Sequence, residues 1–363
     1  MRHLTYFFLL IPPLFYLRVA GHDNIGAILS IIGLVISIIL TPPINLKISF
    51  RKFSLLLAIF SFIIYIILNN IFIKSDIGYL TGGYWWIYLF VSILLFPPPS
   101  FNVLNIISKY VIVTSIIILS IDLYYRFFIN PIDKENIGRY AFKFGIIDAD
   151  SNFSGIYSSL MFFYCLFLVN TYQKYRKCLV VLYILVVSSL SVAAISVTTI
   201  MYFYFKSTKK IKIYSILPLL FLSIILSPVI LGFIENDASG LTKINFISAG
   251  LDIFLSRSFF DELLGTGFSS VTINGLEPHI VVLQIILQLG IIGLILYYLI
   301  QVILLLGYSG IHAYIIIPFF LIGFSVASIS NPIFTLTILL LYYHSYYIEG
   351  FKNKSYLTTE KTL

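Results

Sequence analysis

The side chains best equipped for chemistry fall in two polar stretches, 122–152 and 235–279, that interrupt an otherwise apolar chain. Of the six cations there, Arg139, Lys143, Lys243 and Arg257 are the candidates to hold an anion. An arginine fork grips two oxygens of an anion at once, and a lysine offers a point charge. The plainer alternative is that each balances a neighbouring Asp or Glu in a solvated loop. His279 sits where the second stretch gives way to an apolar run, and an imidazole that titrates near neutral pH suits a general base. An interfacial histidine whose ring reaches for water reads the same way. Asp148, Asp150 and Glu277 are carboxylates able to orient a hydroxyl or pair with a cation, and equally able to cap a helix or face solvent. Asn152 fits either a hydrogen bond to a ligand or a helix cap. Gln284 and Gln288 lie one helical turn apart and share a face, which in lipid points to bonding between helices more than to catalysis. The triplet Asp148-Ala149-Asp150 has the form of a divalent-cation site. The five histidines are scattered, however, and no metal or other cofactor is expected.

The elements that position these groups follow from composition. The chain has 363 residues, 60% of them hydrophobic and 10% charged, with a mean hydropathy of +1.01. One water-soluble core cannot bury that much apolar surface, so lipid must act as solvent for much of it. The formal charge of +8 does not point to nucleic acid, because the basic residues lie in short tracts between apolar runs, as cytoplasmic loops do. Cys165 and Cys178 fall within or beside apolar runs and suggest packing, with neither a disulfide nor a metal cluster. The clustered Tyr84-Trp85-Trp86 fits an aromatic belt at a membrane interface.

The sequence predicts an all-α, polytopic transmembrane bundle of about twelve spans, forming a single integral membrane domain over 1–363. The runs are Leu4 to Leu17, Ile25 to Leu40, Phe53 to Ile73, Tyr79 to Phe96, Val103 to Ile121, Phe153 to Asn170, Cys178 to Val187, Val192 to Phe205, Ile213 to Ile234, Ile280 to Leu306, Ile311 to Ser328 and Pro332 to Ile348. The first is broken by Pro12-Pro13 and is read as a span, since Arg18 stands too close to any cleavage at Ala20 for a signal peptide. Charge parity separates the seventh from the eighth. Arg176 and Lys177 precede the pair, Lys206 and Lys209 follow it, and both tracts want the cytoplasm, so a hairpin turning at Ser188 to Ser191 is preferred to one long helix.

With both termini inside, 15 of the 23 basic residues face the cytoplasm, and stretches 122–152 and 235–278 become external loops. Their net charges are −1 and −4. Within the second, Ser248 to Leu264 is expected to form one amphipathic helix along the outer membrane surface, with Leu251, Phe254, Leu255, Phe259 and Leu263 at helical spacing, ending at Gly265-Thr266-Gly267.

Here the sequence resembles a family. Leu264-Gly265-Thr266-Gly267-Phe268, Glu277-Pro278-His279, and Gln288 followed by Gly290-Ile291-Ile292-Gly293 are similar to the signature of the O-antigen polymerase and ligase superfamily: a Gly-x-Gly turn, a His-Asn pair opening a span, and a Gly-Ile-x-Gly step one helix-length on. Asp148-Ala149-Asp150-Ser151-Asn152, with Gly155 beyond, is similar to the family's Asp-x-Asn entry to a middle span. There are departures. Ile280 stands where Asn follows the His, Ser191-Val192-Ala193 where many relatives have Ser-Arg, and Lys243 follows Ser239-Gly240 in the place of an Arg.

The resemblance implies metal-independent glycosyl transfer on the periplasmic face of a bacterial inner membrane. Its substrate would be an undecaprenyl-diphosphate-linked oligosaccharide, with membrane lipid, a chain-length regulator and a flippase as partners. Arg139, Lys143, Lys243 and Arg257 would hold the departing diphosphate, His279 would act as base, and Asn152, Asp150 and Glu277 would contact substrate. The two external loops would then meet over one cationic pocket. The missing Ser-Arg leans toward a polymerase of repeat units. A ligase moving finished glycan to a lipid A core is the alternative. A non-enzymatic transporter of the same lipid is a third reading, disfavoured because the spans show almost no charge and no paired broken helices.

Overall fold

The computed structural model describes residues 2–16, 25–41, 48–73, 80–129, 142, 145–147, 151–207, 238–267, 273, 280–324, 329 and 331–359. Among them the chain is helical and has no strand. In chain order the helices are α1 Arg2–Leu10, α2 Ile25–Leu40, α3 Phe50–Ile73, α4 Leu80–Leu95, α5 Phe101–Tyr124, α6 Ser151–Tyr172, α7 Arg176–Ser188, α8 Val192–Lys206, α9 Ala238–Leu255, α10 Phe259–Leu264, α11 Val281–Gly307, α12 Ala313–Gly323 and α13 Pro332–Thr359. Four stretches, Phe50–Phe72, Phe101–Ile129, Ser151–Tyr172 and Val281–Gly307, are long and apolar enough to cross a membrane, and several shorter apolar helices accompany them. The predicted ninth span, Ile213 to Ile234, lies outside the described residues.

Helix α2 shows how lipid and protein divide the surface. Its inward face is Gly26, Ser30, Gly33 and Ser37, spaced at helical turns, while Ile28, Ile32, Val35 and Ile39 are exposed. Small residues inside let backbones approach, and branched apolar residues outside meet hydrocarbon. A Cβ on Gly33 would come within 2.2 Å of the Phe8 carbonyl of α1, and Ser37 Oγ donates across the same seam to the Thr5 carbonyl at 2.8 Å. Helix α1 stops at the proline pair: a single 3-10 turn, Pro12–Leu14, replaces it because proline has no N–H for the ladder.

Helix α6 is the axis of the bundle, buried along nearly its whole length and packed against α5, α7, α8, α12 and α13. Helices α7 and α8 are separate, as the hairpin reading expects. The chain turns at Ser189 and Leu190, the latter at φ 58°, and Ser191 caps α8 by accepting from Ala194 N. Gly155 makes room for that turn, since a Cβ there would meet Ser191 Cβ at 2.7 Å and Ala194 Cβ at 2.9 Å.

Three expectations need correction. The helix of the fifth span does not end before Asp122. It continues through Tyr124 and then as a π-helical turn, Tyr125–Ile129, so Asp122 and Arg126 sit on a helix and not in a loop. The single amphipathic helix from Ser248 to Leu264 is two helices, α9 and α10, interrupted at Ser256 to Ser258, because Ser258 caps α10 by accepting from Asp261 N. Trp85 and Trp86 are interior packing residues and not an interfacial belt: Trp86 meets Phe62 and Tyr297 edge-on at 5.3 and 5.5 Å.

Candidate functional site

Helix α11 is broken. Gly290 has φ 63° and ψ −169°, a conformation open in practice to glycine alone, so α11 runs as two pieces that meet there. A break strands carbonyls on its N-terminal side. Each is met from outside the helix. Leu287 O accepts from Arg257 Nη1 at 2.6 Å and Thr266 Oγ1 at 3.3 Å, Gln288 O accepts from Gly267 N at 3.0 Å, and Leu289 O accepts from Tyr65 Oη of α3 at 2.7 Å. Tyr65 Oη also lies 2.8 Å from Leu264 O, to which Asn69 Nδ2 donates as well. The turn that ends α10 is therefore seated in the break of α11.

That seating needs two glycines face to face. Gly265, at φ 75° and ψ −176°, would place a Cβ 2.3 Å from Gln288 O, and Gly290 would place one 2.4 Å from Leu263 O and 2.5 Å from Gly265 N. Helix α9 extends the same contact. Phe246, Gly250 and Ile253 lie on one face against Ile280, Leu283 and Leu287, so closely that a Cβ on Gly250 would fall 2.7 Å from Leu283 Cδ1. The opposite side, with Leu251, Leu255, Phe259 and Phe260, is exposed.

Arg257 is thus committed to the protein, through Leu287 O and, at 3.2 Å, through Thr266 Oγ1. Burial draws its pKa below the usual guanidinium value and Asp261 opposes that shift. We expect Arg257→Ala to loosen α9 and α10 from α11 by about 1.5–3 kcal/mol, the range for hydrogen bonds to a charged group. Faster chymotryptic cleavage at Phe259–Phe260, only partly restored by Arg257→Lys, is the check. Cleavage at the wild-type rate would mean that the side chain carries no structural load.

A second cluster lies at the other polar stretch. Asp122 and Arg126 form an ion pair at 2.8 Å with side chains 0% and 3% exposed. Asp122 Oδ1 accepts from Ile146 N at 2.8 Å and Ile147 N at 3.1 Å, Oδ2 accepts from Ser154 Oγ at 2.9 Å, and Arg126 Nη1 reaches Ser189 O at 3.4 Å. Beside them Asn152 Oδ1 accepts from Ser191 Oγ at 2.7 Å, which ties the start of α6 to the α7–α8 turn. Asn152 therefore bonds across helices and is not the residue that caps α6.

Of the other residues singled out from sequence, Lys243 is half-buried on α9. Arg139, Lys143, Asp148, Asp150, Glu277 and His279 lie outside the described residues; His279 immediately precedes Ile280, the N-cap of α11. Gln284 Oε1 accepts from Ile329 N at 3.3 Å, in the connection between α12 and α13 and not on a neighbouring helix, while Gln288 is fully buried. Sequence reasoning passed over Asp122 with Arg126 and Tyr65 with Asn69. Both pairs had a signal, since each is spaced i, i+4 on an apolar run, where polar side chains are kept for a reason. Among the described residues no group of His, Cys, Asp and Glu could hold a metal ion. Compared with known proteins, the chain matches no family model, no curated protein and no solved structure, which leaves this geometry as the ground for assigning a function.

Proposed function

We propose that the protein polymerises lipid-diphosphate-linked oligosaccharide repeat units at the periplasmic face of a bacterial inner membrane. In this reading the chain crosses the bilayer about twelve times, with both termini inside and 235–278 outside. The observation that carries the reading is the mutual seating of Gly265–Gly267 and Gln288–Gly290. Two of the segments on which the family resemblance rests, Gly265–Gly267 and Gln288–Gly290, pack against each other, and Gly267 and Ile280 both lie along the N-terminal part of α11.

The proposed step is a displacement. A hydroxyl of the incoming repeat unit attacks the anomeric carbon of the growing glycan, its proton passes to His279, and the lipid diphosphate leaves with the bonding pair. Arg139, Lys143 and Lys243 are the cations proposed to receive that charge, with Asp150, Asn152 and Glu277 oriented toward sugar. Arg257 holds the scaffold in place and would reach the diphosphate only by leaving Leu287 O.

The broken α11 favours a second reading, since transporters of membrane solutes use discontinuous helices, although it is one break and not a pair. Against it, the freed carbonyls are already occupied by Arg257, Thr266, Gly267 and Tyr65. Gene deletion with gel analysis of the surface glycan separates the readings. Core carrying one repeat means polymerase, bare core with long chains left on carrier lipid means ligase, and intermediates held at the cytoplasmic face mean transport. His279→Ala and Lys243→Ala are each expected to slow chain extension about 10²–10⁴-fold at unchanged protein level. Normal ladders from both would remove the site assignment.

A further inference from the structure

Helices α6, α7 and α8 enclose a cavity of about 260 Å³ lined by Phe162, Leu179, Val180, Tyr183, Thr199, Tyr202 and Phe203. Tyr183 Oη and Thr199 Oγ1 are paired with each other at 2.9 Å and the rest of the lining is apolar apart from the Tyr202 hydroxyl, so what it offers a guest is mostly hydrocarbon surface. Val180 and Phe203 at its rim are 61% and 62% exposed, and Ile184 and Ile200 beside them are exposed too. A face of that kind on a membrane protein opens to lipid.

Charge identifies the lipid. Arg176 stands three and four residues before Leu179 and Val180, Lys177 three before Val180, and Lys206 four and three after Tyr202 and Phe203. Helical spacing therefore stacks these cations on the faces that line the cavity, at the open base of the hairpin. All three are exposed. No acidic residue occurs from Ser151 to Ile234, and the exposed Lys174 adds a further positive charge next to α7.

We propose that this groove is a binding site for an anionic phospholipid, one chain lying between α7 and α8 and the head group held by Arg176, Lys177 and Lys206. The chain supplies burial against Phe162, Tyr183 and Tyr202, and the head group supplies the electrostatic preference for negative lipid. The site lies toward the end of the hairpin remote from the Asn152–Ser191 contact, and it does not depend on the enzymatic reading.

The test is native mass spectrometry of delipidated protein titrated with dioleoyl phosphatidylglycerol, dioleoyl phosphatidylcholine or inorganic phosphate. Phosphatidylglycerol is expected to bind well ahead of phosphatidylcholine, with phosphate alone failing to compete. The combined change Arg176→Gln, Lys177→Gln, Lys206→Gln should weaken phosphatidylglycerol by about a hundredfold, at the strength usual for three cations near an anionic surface. Val180→Trp, which fills the groove from its lipid-facing rim, should abolish the bound lipid while Val187→Trp, outside the groove, leaves it. Equal binding of the two lipids, competition by phosphate, or binding that survives both the triple change and Val180→Trp would overturn the proposal.

Discussion

Gly290→Ala is expected to cost the folded protein about 3 kcal/mol or more, one of the two largest effects of any single substitution considered for this chain. The backbone at φ 63°, ψ −169° alone is worth about 1–3 kcal/mol against any residue with a Cβ. The added methyl would also lie 2.4 Å from Leu263 O and 2.5 Å from Gly265 N, which are backbone atoms and cannot rotate away. The turn would have to lift off α11, giving up the bonds from Gly267 N to Gln288 O and from Tyr65 Oη to Leu289 O. At Gly307, in the same helix, an added Cβ would meet nothing within 4 Å, so Gly307→Ala is the control and should be neutral. Thermal unfolding in detergent compares them directly. Equal midpoints would show that the break in α11 is not what holds α10.

Breaking the Asp122–Arg126 pair should be comparably severe. Removing one partner of a buried ion pair costs about 3–5 kcal/mol, because the other charge is left without compensation in a low-dielectric interior. Asp122→Ala should be the worse of the two. It strands Arg126, which is 2% exposed, and also the N–H groups of Ile146 and Ile147 and the Ser154 hydroxyl. Arg126→Ala leaves the carboxylate with those three donors still in place. Pairing Asp122→Asn with Arg126→Met should cost clearly less than the sum of the single changes, because neither charge remains to be stranded. Strict additivity in that double-mutant cycle would mean that the two side chains do not depend on each other.

The contrast between these sites explains what the sequence could reveal. Helices α2, α3 and α8 were legible almost to the residue, because apolar runs bounded by prolines, charges and Ser-rich turns state their own limits. The extension of α5 through Ile129 was not. Asp122 and Arg126 look like the end of a span when charges are counted one at a time, and only their i, i+4 spacing inside the continuing run Leu123, Tyr124, Tyr125, Phe127 hints that they satisfy each other. The break in α11 was hidden for a related reason. Gly290 sits in a run that stays strongly apolar on average despite Gln284 and Gln288, and glycine is common in membrane helices. What makes it a hinge is the Gly265 turn arriving from 25 positions away, a tertiary fact. The amphipathic pattern from Ser248 to Leu264 misled in the opposite sense. Leu251 and Leu255 do keep helical spacing, yet the side of α9 that meets α11 is Phe246, Gly250 and Ile253; of the predicted stripe Leu251, Leu255 and Phe259 face outward, while Phe254 packs against that contact.

The central claim is that α9 and α10, clipped into the broken α11, stand on the side of the membrane opposite the basic base of the α7–α8 hairpin. With Cys165 and Cys178 replaced by alanine, single cysteines at Ser256 on the α9–α10 elbow and at Lys177 at the start of α7 are treated with an impermeant maleimide in intact spheroplasts. The account predicts labelling of Ser256→Cys before lysis and of Lys177→Cys only afterwards. Labelling of both from the same side, or of Ser256→Cys only after lysis, would contradict it.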